Sequence, residues 1–417
     1  MATPTLALIP TGYKAGKLYS VLPESGVGDF TVVRATEATR VNEEGLIETM
    51  GANVPRLDYS GGGCPVLLTE PQRTNSITYS NDFSQSIYNK IDLTITANQG
   101  ISPDGTQNAN LLVPNAAVGL RYITNNTGSN LKINTVFLKK KELRYVKVGN
   151  AQSNVLVDLE NGTISADSVS TNNFTIENYG NGWYRVSCYN TLDVDLQIQI
   201  FVGIDGSGSN IATNGTDGVY IYGFEIQNGS YPTSYIKTSG SAVTRNADQV
   251  TGAGDAATFN DSEGVLMAEI SALTNDGTQR AISIYKDTSL DNLITIQYNS
   301  VSNNIRYLYR QGVVSVSDIN FVVNDIKANH KIAATWKQND FKLFVDGIKV
   351  GEQLSGNVAP LNTFVGLDFK RPDGHNFYGN TSQIQYFNTV LTDSELETLT
   401  SWTSFIEMAQ ALNYNII

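Results

Sequence analysis

Charge is scarce in this chain. Asp, Glu, Lys and Arg make up 16% of its 417 residues, against about a quarter in an ordinary soluble protein. Basic residues are the scarcer sign, 28 Lys and Arg against 40 Asp and Glu, for a net charge of -12. Phosphate backbones are held by a basic face, so this balance excludes a nucleic-acid partner. Two cysteines, Cys64 and Cys188, lie far apart. They predict no disulfide framework, which fits a product made in a cytoplasm. With only His330 and His375 beside them, a structural zinc cluster is not expected. No run approaches the roughly 18 apolar residues of a membrane helix. The start, Met1 to Pro10, has no basic region and breaks its short apolar stretch at a proline, so it does not read as a signal peptide. Leu, Ala and Met do not dominate, which argues against a helical bundle.

What is present is turn and strand chemistry. Gly contributes 36 residues and Tyr 21, with many Asn, Ser and Thr. That mixture suits short β-strands joined by tight turns. Hydrophobic residues at 41% suffice for packed cores, so global disorder is excluded. The predicted fold class is all-β: an irregular N-terminal anchor, two β-sandwich (jelly-roll) domains and a short C-terminal helix.

The chain divides by texture. Residues 1–76 alternate glycines with short β runs such as Phe30-Thr-Val-Val-Arg34, and have little to bury alone. They are expected to pack on something else, such as a neighbouring chain. Residues 77–245 carry strand-like runs separated by Asn-Gly and Asp-Gly turns; in Leu196-Gln-Ile-Gln-Ile200 apolar and polar residues alternate as in a half-buried strand. Residues 246–398 repeat the pattern. There Phe341 to Val350 is the best hairpin, with Asp346-Gly347 suited to a type I′ turn. Thr392-Asp-Ser-Glu395 is a capping box, and Leu396, Leu399, Trp402 or Thr403, and Ile406 follow at helical spacing. The tail 399–417 is expected to be helical.

Three stretches resemble known families. Arg34-Ala-Thr36, Asn53-Val-Pro-Arg-Leu-Asp-Tyr59, Glu70-Pro-Gln-Arg-Thr-Asn75 and their neighbours between 18 and 83 resemble a segment recurrent in bacteriophage virion proteins: tail fibres, head fibres and minor structural proteins. Asn181-Gly-Trp-Tyr-Arg-Val-Ser187, Tyr222-Gly-Phe-Glu-Ile226 and Tyr231-Pro-Thr-Ser-Tyr235 resemble a carbohydrate-binding-module-like jelly roll. His330-Lys-Ile-Ala-Ala-Thr-Trp336, Leu343-Phe-Val-Asp-Gly347 and Ile384-Gln-Tyr-Phe-Asn388 are similar to the concanavalin A-like, laminin-G-type sandwich. The resemblance implies a structural protein of the phage particle, a head or tail fibre, made in the host cytoplasm and displayed on the virion. It implies a homotrimer whose N-terminal segment meets capsid, portal or tail proteins, with projecting sandwiches that bind host or environmental glycans.

Candidate site residues follow from sugar chemistry. A sugar's apolar CH face stacks on an exposed ring, and Tyr222, Tyr231, Tyr235 and Tyr378 are the candidate platforms. Trp183 and Trp336 sit in strand motifs and are assigned to the cores. Asp205, Asn210 and Asp217, with Asn214 nearby, crowd one loop region with oxygen donors suited to calcium, although Asp-Gly and Asn-Gly pairs are also ordinary turns. No Gly-x-Ser-x-Gly elbow or tight Glu-x-Asp-x-x-Glu motif occurs, so no enzyme is expected. Asp393, Glu395 and Glu397 read as a helix N-terminus. The alternatives are a polysaccharide depolymerase, which needs paired carboxylates in one cleft, and a purely structural capsid decoration. Lys139-Lys-Lys-Glu-Leu-Arg144 reads as a solvated loop, with docking to an acidic capsid patch as the other possibility.

Overall fold

Antiparallel strand pairs build the sheets of the computed structural model, which describes residues 2–125, 133–149, 154–166, 174–189 and 198–401. The chain forms two compact units. Residues 2–37, 50–71 and 247–401 make up the first, and residues 38–49 and 72–246 make up the second.

The first unit is a sandwich. One sheet runs in the order Ile348–Gln353, Asp340–Val345, His330–Lys337, Glu263–Ala272, Gly379–Phe387, Val66–Thr69 and Leu57–Asp58, with Leu6–Leu8 also pairing to Gly379–Phe387. The other runs Val314–Val322, Asn304–Gln311, Leu293–Tyr298, Arg280–Tyr285 and Gly366–Asp368. Every second residue faces inward. Ile282, Ile284, Ile294, Ile296, Ile305, Tyr307 and Tyr309 of the five-stranded sheet therefore meet Leu266, Ile332, Ala334, Trp336, Leu343, Ile384 and Tyr386 of the other. The buried tyrosines are satisfied: Tyr307 donates to the Thr335 carbonyl at 2.8 Å and Tyr298 to the Ile270 carbonyl at 2.9 Å. Each such bond ties one sheet to the other and spares a buried hydroxyl its desolvation cost.

The amino-terminal residues of this unit are not a separate body. Leu6–Leu8 and Val66–Thr69 extend the larger sheet, and Phe30–Val33 pairs with Gln249–Thr251. A fully buried ion cluster pins them. The Arg34 Nη1 lies 2.9 Å from Asp248 Oδ1, Arg56 pairs with Asp248 and, at 2.6 Å, with Glu70, and Arg34 also donates to the Thr36, Gly51 and Val54 carbonyls. The sequence could not show this cover, because it pairs residues nearly two hundred positions apart.

The predicted hairpin and helix form. Asp346 and Gly347 both take positive φ, 49° and 84°, between strands whose last pair is Val345 and Ile348. The helix runs Asp393–Ser401. Its Thr392 hydroxyl accepts from the Glu395 amide at 3.3 Å, and the Glu395 carboxylate accepts from the Thr392 amide at 2.9 Å. Leu396 and Leu399 pack on Val265, Met267, Ala333, Phe344 and Phe387. Trp402, Thr403, Ile406 and the rest of the expected helical tail lie outside the described residues.

The second unit pairs two six-stranded sheets. One is ordered Tyr88–Ile91, Tyr122–Asn125, Gln199–Ile204, Tyr145–Gly149, Asn154–Asp158 and Thr163–Ala166; the other is ordered Leu93–Gly100, Ala109–Pro114, Val219–Gln227, Ile133–Lys140, Trp183–Tyr189 and Phe174–Asn178. Their core contains Ile123, Val136, Leu138, Val146, Val148, Val186, Ile200, Val202 and Ile221. A buried ion pair, Arg185 to Glu225 at 2.6 Å, joins the Trp-Tyr-Arg and Gly-Phe-Glu motifs. Asn181 and Gly182 take the positive φ of the turn before Trp183. No helix among the described residues is long and apolar enough to cross a membrane, a statement that does not bear on β-barrels.

Candidate functional site

Three of the four tyrosines expected to carry sugar are inside. Tyr222, Tyr231 and Tyr235 are 1%, 5% and 3% exposed. Tyr222 and Tyr235 pack with Phe137, Trp183 and Ala109 in a small aromatic core. The Tyr222 hydroxyl donates to Asp104 at 2.9 Å, and that of Tyr235 to Asn81 Oδ1 at 2.9 Å. The Arg73 guanidinium lies 5.3 Å from the Tyr231 ring centre. Rings so enclosed fill volume and offer no face to a ligand. Tyr378 is half-buried.

The oxygen donors proposed for calcium close turns. Asp205 Oδ1 accepts from the Ser207 and Ser209 amides at 2.8 and 3.0 Å, and Asn214 Oδ1 accepts from the Thr216 and Asp217 amides, both at 2.8 Å. Asn214 Nδ2 donates to Asp217 Oδ1, and Asn210 bridges to Ile204. Among the described residues no group of three or more His, Cys, Asp or Glu is placed to hold a metal. The basic run after Phe137 is neutralised locally: Lys140 meets Glu160, Lys141 meets Glu142, and Arg144 meets Asp158.

The candidate groove is elsewhere, in the first unit. A groove of about 150 Å³ is lined by Leu290, Leu293, Arg306, Leu308, Arg310, Ser315 and Arg371. The sheet builds it by alternation. In Asn304–Gln311 the residues Ile305, Tyr307 and Tyr309 enter the core, so Arg306, Leu308 and Arg310 take the opposite face. Cross-strand partners share a face. Arg310 stands opposite Leu293 and Ser315, Leu308 opposite Thr295 and Asp318, and Arg306 opposite Gln297 and Asn320.

Two of the three guanidinium groups are fixed. Arg306 forks onto Asp318 at 2.6 and 2.5 Å, and holds that carboxyl below its ordinary range. Arg371 forks onto Asp373 at 2.8 and 2.6 Å and donates to Gln297 Oε1 at 2.7 Å. Hydrogen bonding to Arg371 holds the Asp373 carboxyl down to about 2. Arg310 differs. Its Nη2 donates to the Val313 carbonyl at 2.9 Å, its Nε is buried without a partner, and no carboxylate among the described residues pairs with it. Leu293 and Leu308 are buried beneath it, so the groove presents the half-buried Leu290, a serine hydroxyl and forked donors.

The run from Arg371 to Gly379, read in the sequence as an exposed turn with Tyr378 as its binding ring, contributes Arg371 instead. The other lining residues were missed. Strict alternation from Ile305 to Arg310 was the available signal, because it puts two arginines on one face of a strand. Nothing local connects them to Arg371.

No family model matches the chain, and no curated protein does. Solved structures do align with it. The CBM40 domain of Ruminococcus gnavus IT-sialidase, bound to α2,3-sialyllactose, is 13% identical over 34% of this chain and 84% of its own, with a TM-score of 0.30. Domain 4 of AbnA, a GH43 extracellular arabinanase from Geobacillus stearothermophilus in complex with arabinotriose, is 9% identical over 42% of this chain and 83% of its own, with a TM-score of 0.29. Trypanosoma rangeli sialidase is 10% identical over 92% of this chain and 78% of its own, with a TM-score of 0.31. These neighbours are glycan-related. The expectation that this chain is not an enzyme is corrected by two alignments over more than nine tenths of its length, both to Trypanosoma rangeli sialidase. At such identities and TM-scores the correction removes an exclusion and assigns no reaction.

Proposed function

We propose that this protein is a glycan-holding structural component of a bacteriophage particle, its first unit carrying the saccharide in the arginine and leucine groove. The groove carries the glycan part of this reading. A pyranose has an apolar CH face that fits the half-buried Leu290, and hydroxyls that accept from fixed guanidinium N–H groups and share hydrogen bonds with Ser315. The particle part is supported by the virion-like residues between 18 and 83. Three of these, Arg34, Arg56 and Glu70, form the buried cluster that holds the amino-terminal segment on the first unit. In this reading the protein is displayed on the virion, self-associates as a trimer and contacts capsid, portal or tail proteins.

The test has two arms. Electron microscopy of the intact particle would place the protein at the capsid or the tail; absence of its density from purified particles overturns the virion reading. A glycan array with the full chain is expected to show binding that Leu290→Asp abolishes, since a charge then stands at the half-buried apolar position of the groove. Binding unchanged in that variant removes the groove from the reading, and release of reducing ends during incubation would make the groove an active site.

A further inference from the structure

The charges around the groove do not cancel. Its walls hold three guanidinium groups, Arg306, Arg310 and Arg371. Asp318 and Asp373 neutralise the first and third through paired hydrogen bonds. Among the described residues, Arg310 is left with one hydrogen bond, to a neutral carbonyl, and a buried Nε without a partner. A buried donor without a partner costs about 1–3 kcal/mol. In a chain whose net charge is -12, a cation that no carboxylate pairs with among the described residues, beside the half-buried Leu290, has a chemical meaning.

We infer that the groove selects a carboxylate-bearing sugar and that Arg310 is the group that reads the carboxylate. This rests on the glycan reading of the same groove and names its ligand class. Three observations carry it. The unbalanced charge is that of one cation, which one sugar carboxylate matches. The guanidinium fork suits a planar carboxylate better than any single point charge does. The half-buried Leu290 of the lining asks for an apolar face on the same ligand, which a pyranose supplies and a free phosphate does not. Ser315, opposite Arg310 across the strand pair, is placed to bond a ring hydroxyl next to the carboxylate. Arg306 and Arg371, already engaged, stiffen the walls and need not move.

The experiment is direct titration of the full chain with a panel of uronate- and sialate-bearing oligosaccharides, each beside its neutral methyl ester. At least one acid is expected to bind ten-fold or more tighter than its ester. Arg310→Gln is expected to remove that preference while changing ester affinity less than two-fold, and Arg310→Lys to keep part of it. Among the described residues Arg310 has no acid partner to strand, so the glutamine variant disturbs folding less than a change at Arg306 or Arg371 would. Raising the salt from 50 to 500 mM with the unaltered protein gives a second readout: acid affinity should fall and ester affinity should hold.

Equal binding of acid and ester overturns the inference and leaves the glycan reading standing. An acid preference that survives Arg310→Gln overturns the role of Arg310. Binding of a polyglutamate peptide but of no saccharide overturns both in favour of an acidic protein partner, and no binding to any probe overturns both outright.

Discussion

At the scale of single residues, the buried arginines set the largest local energies. Arg56 is fully enclosed and meets Glu70 and Asp248. Removing one partner of such a pair leaves a buried charge uncompensated, which costs about 3–5 kcal/mol. Arg56→Ala is therefore expected to lower the unfolding free energy of the first unit by about that much, read as a shift in the urea midpoint. A surface change such as Lys286→Ala serves as the control and should move it by less than about 0.5 kcal/mol. Asp373 gives a pH signature. Its folded carboxyl sits at about 2, below the usual 3.8. Its contribution is present above the usual value and lost as pH falls from about 4 towards 2. Asp373→Asn should flatten that part of the stability profile, measured by thermal unfolding between pH 2 and 5.

At the scale of elements, the hairpin and the helix show how far local rules reach. Gly347 has φ 84°, and a Cβ there would approach the Ser401 Cβ to 3.1 Å. Gly347→Ala is expected to cost about 1 kcal/mol or more, from the left-handed backbone and the crowding together. Thr392→Ala removes the hydroxyl cap and should cost about 1 kcal/mol. The hairpin also carries a titrating contact. His330 Nδ1 lies 2.7 Å from Asp346 Oδ2, and its Nε2 lies 3.0 Å from the Asp325 carbonyl. Burial works against the imidazolium, yet these two partners outweigh it and raise the His330 pKa above 6.5. The stabilisation is thus complete below about pH 6.5 and lost as pH rises through the raised value. Denaturation midpoints at pH 5.5 and 8.5 should differ in that direction for the natural chain and converge for His330→Gln. These elements were legible because their causes are local: two positive φ angles at Asp-Gly, four residues of a capping box, and a period of two in the flanking strands. The tyrosine platforms were not. A tyrosine in a β run has the same local signal whether its ring faces water or the core, and packing against Phe137 and Trp183 decided it for Tyr222 and Tyr235.

At the scale of the whole molecule, the proposed fibre role predicts association. Light scattering after size-exclusion chromatography is expected to give about three times 45.3 kDa at micromolar concentration, and a stable monomer would remove the trimer from the reading. Composition and turn spacing were sufficient for the all-β class, since few helix formers and frequent Asn-Gly and Asp-Gly pairs leave no other economical way to bury 41% apolar residues. The hairpin, the helix start and the inward Trp183 and Trp336 were determined in the same way, by residues within a few positions of each other. The tertiary structure alone decided the rest. It took Arg34, Arg56, Glu70 and Asp248 from three separate stretches and buried them together. It also brought Arg371 to the face of Arg306 and Arg310, and among the described residues left Arg310 of these three without a countercharge. Pairing over such distances depends on strand order and register, and neither is written in any local pattern.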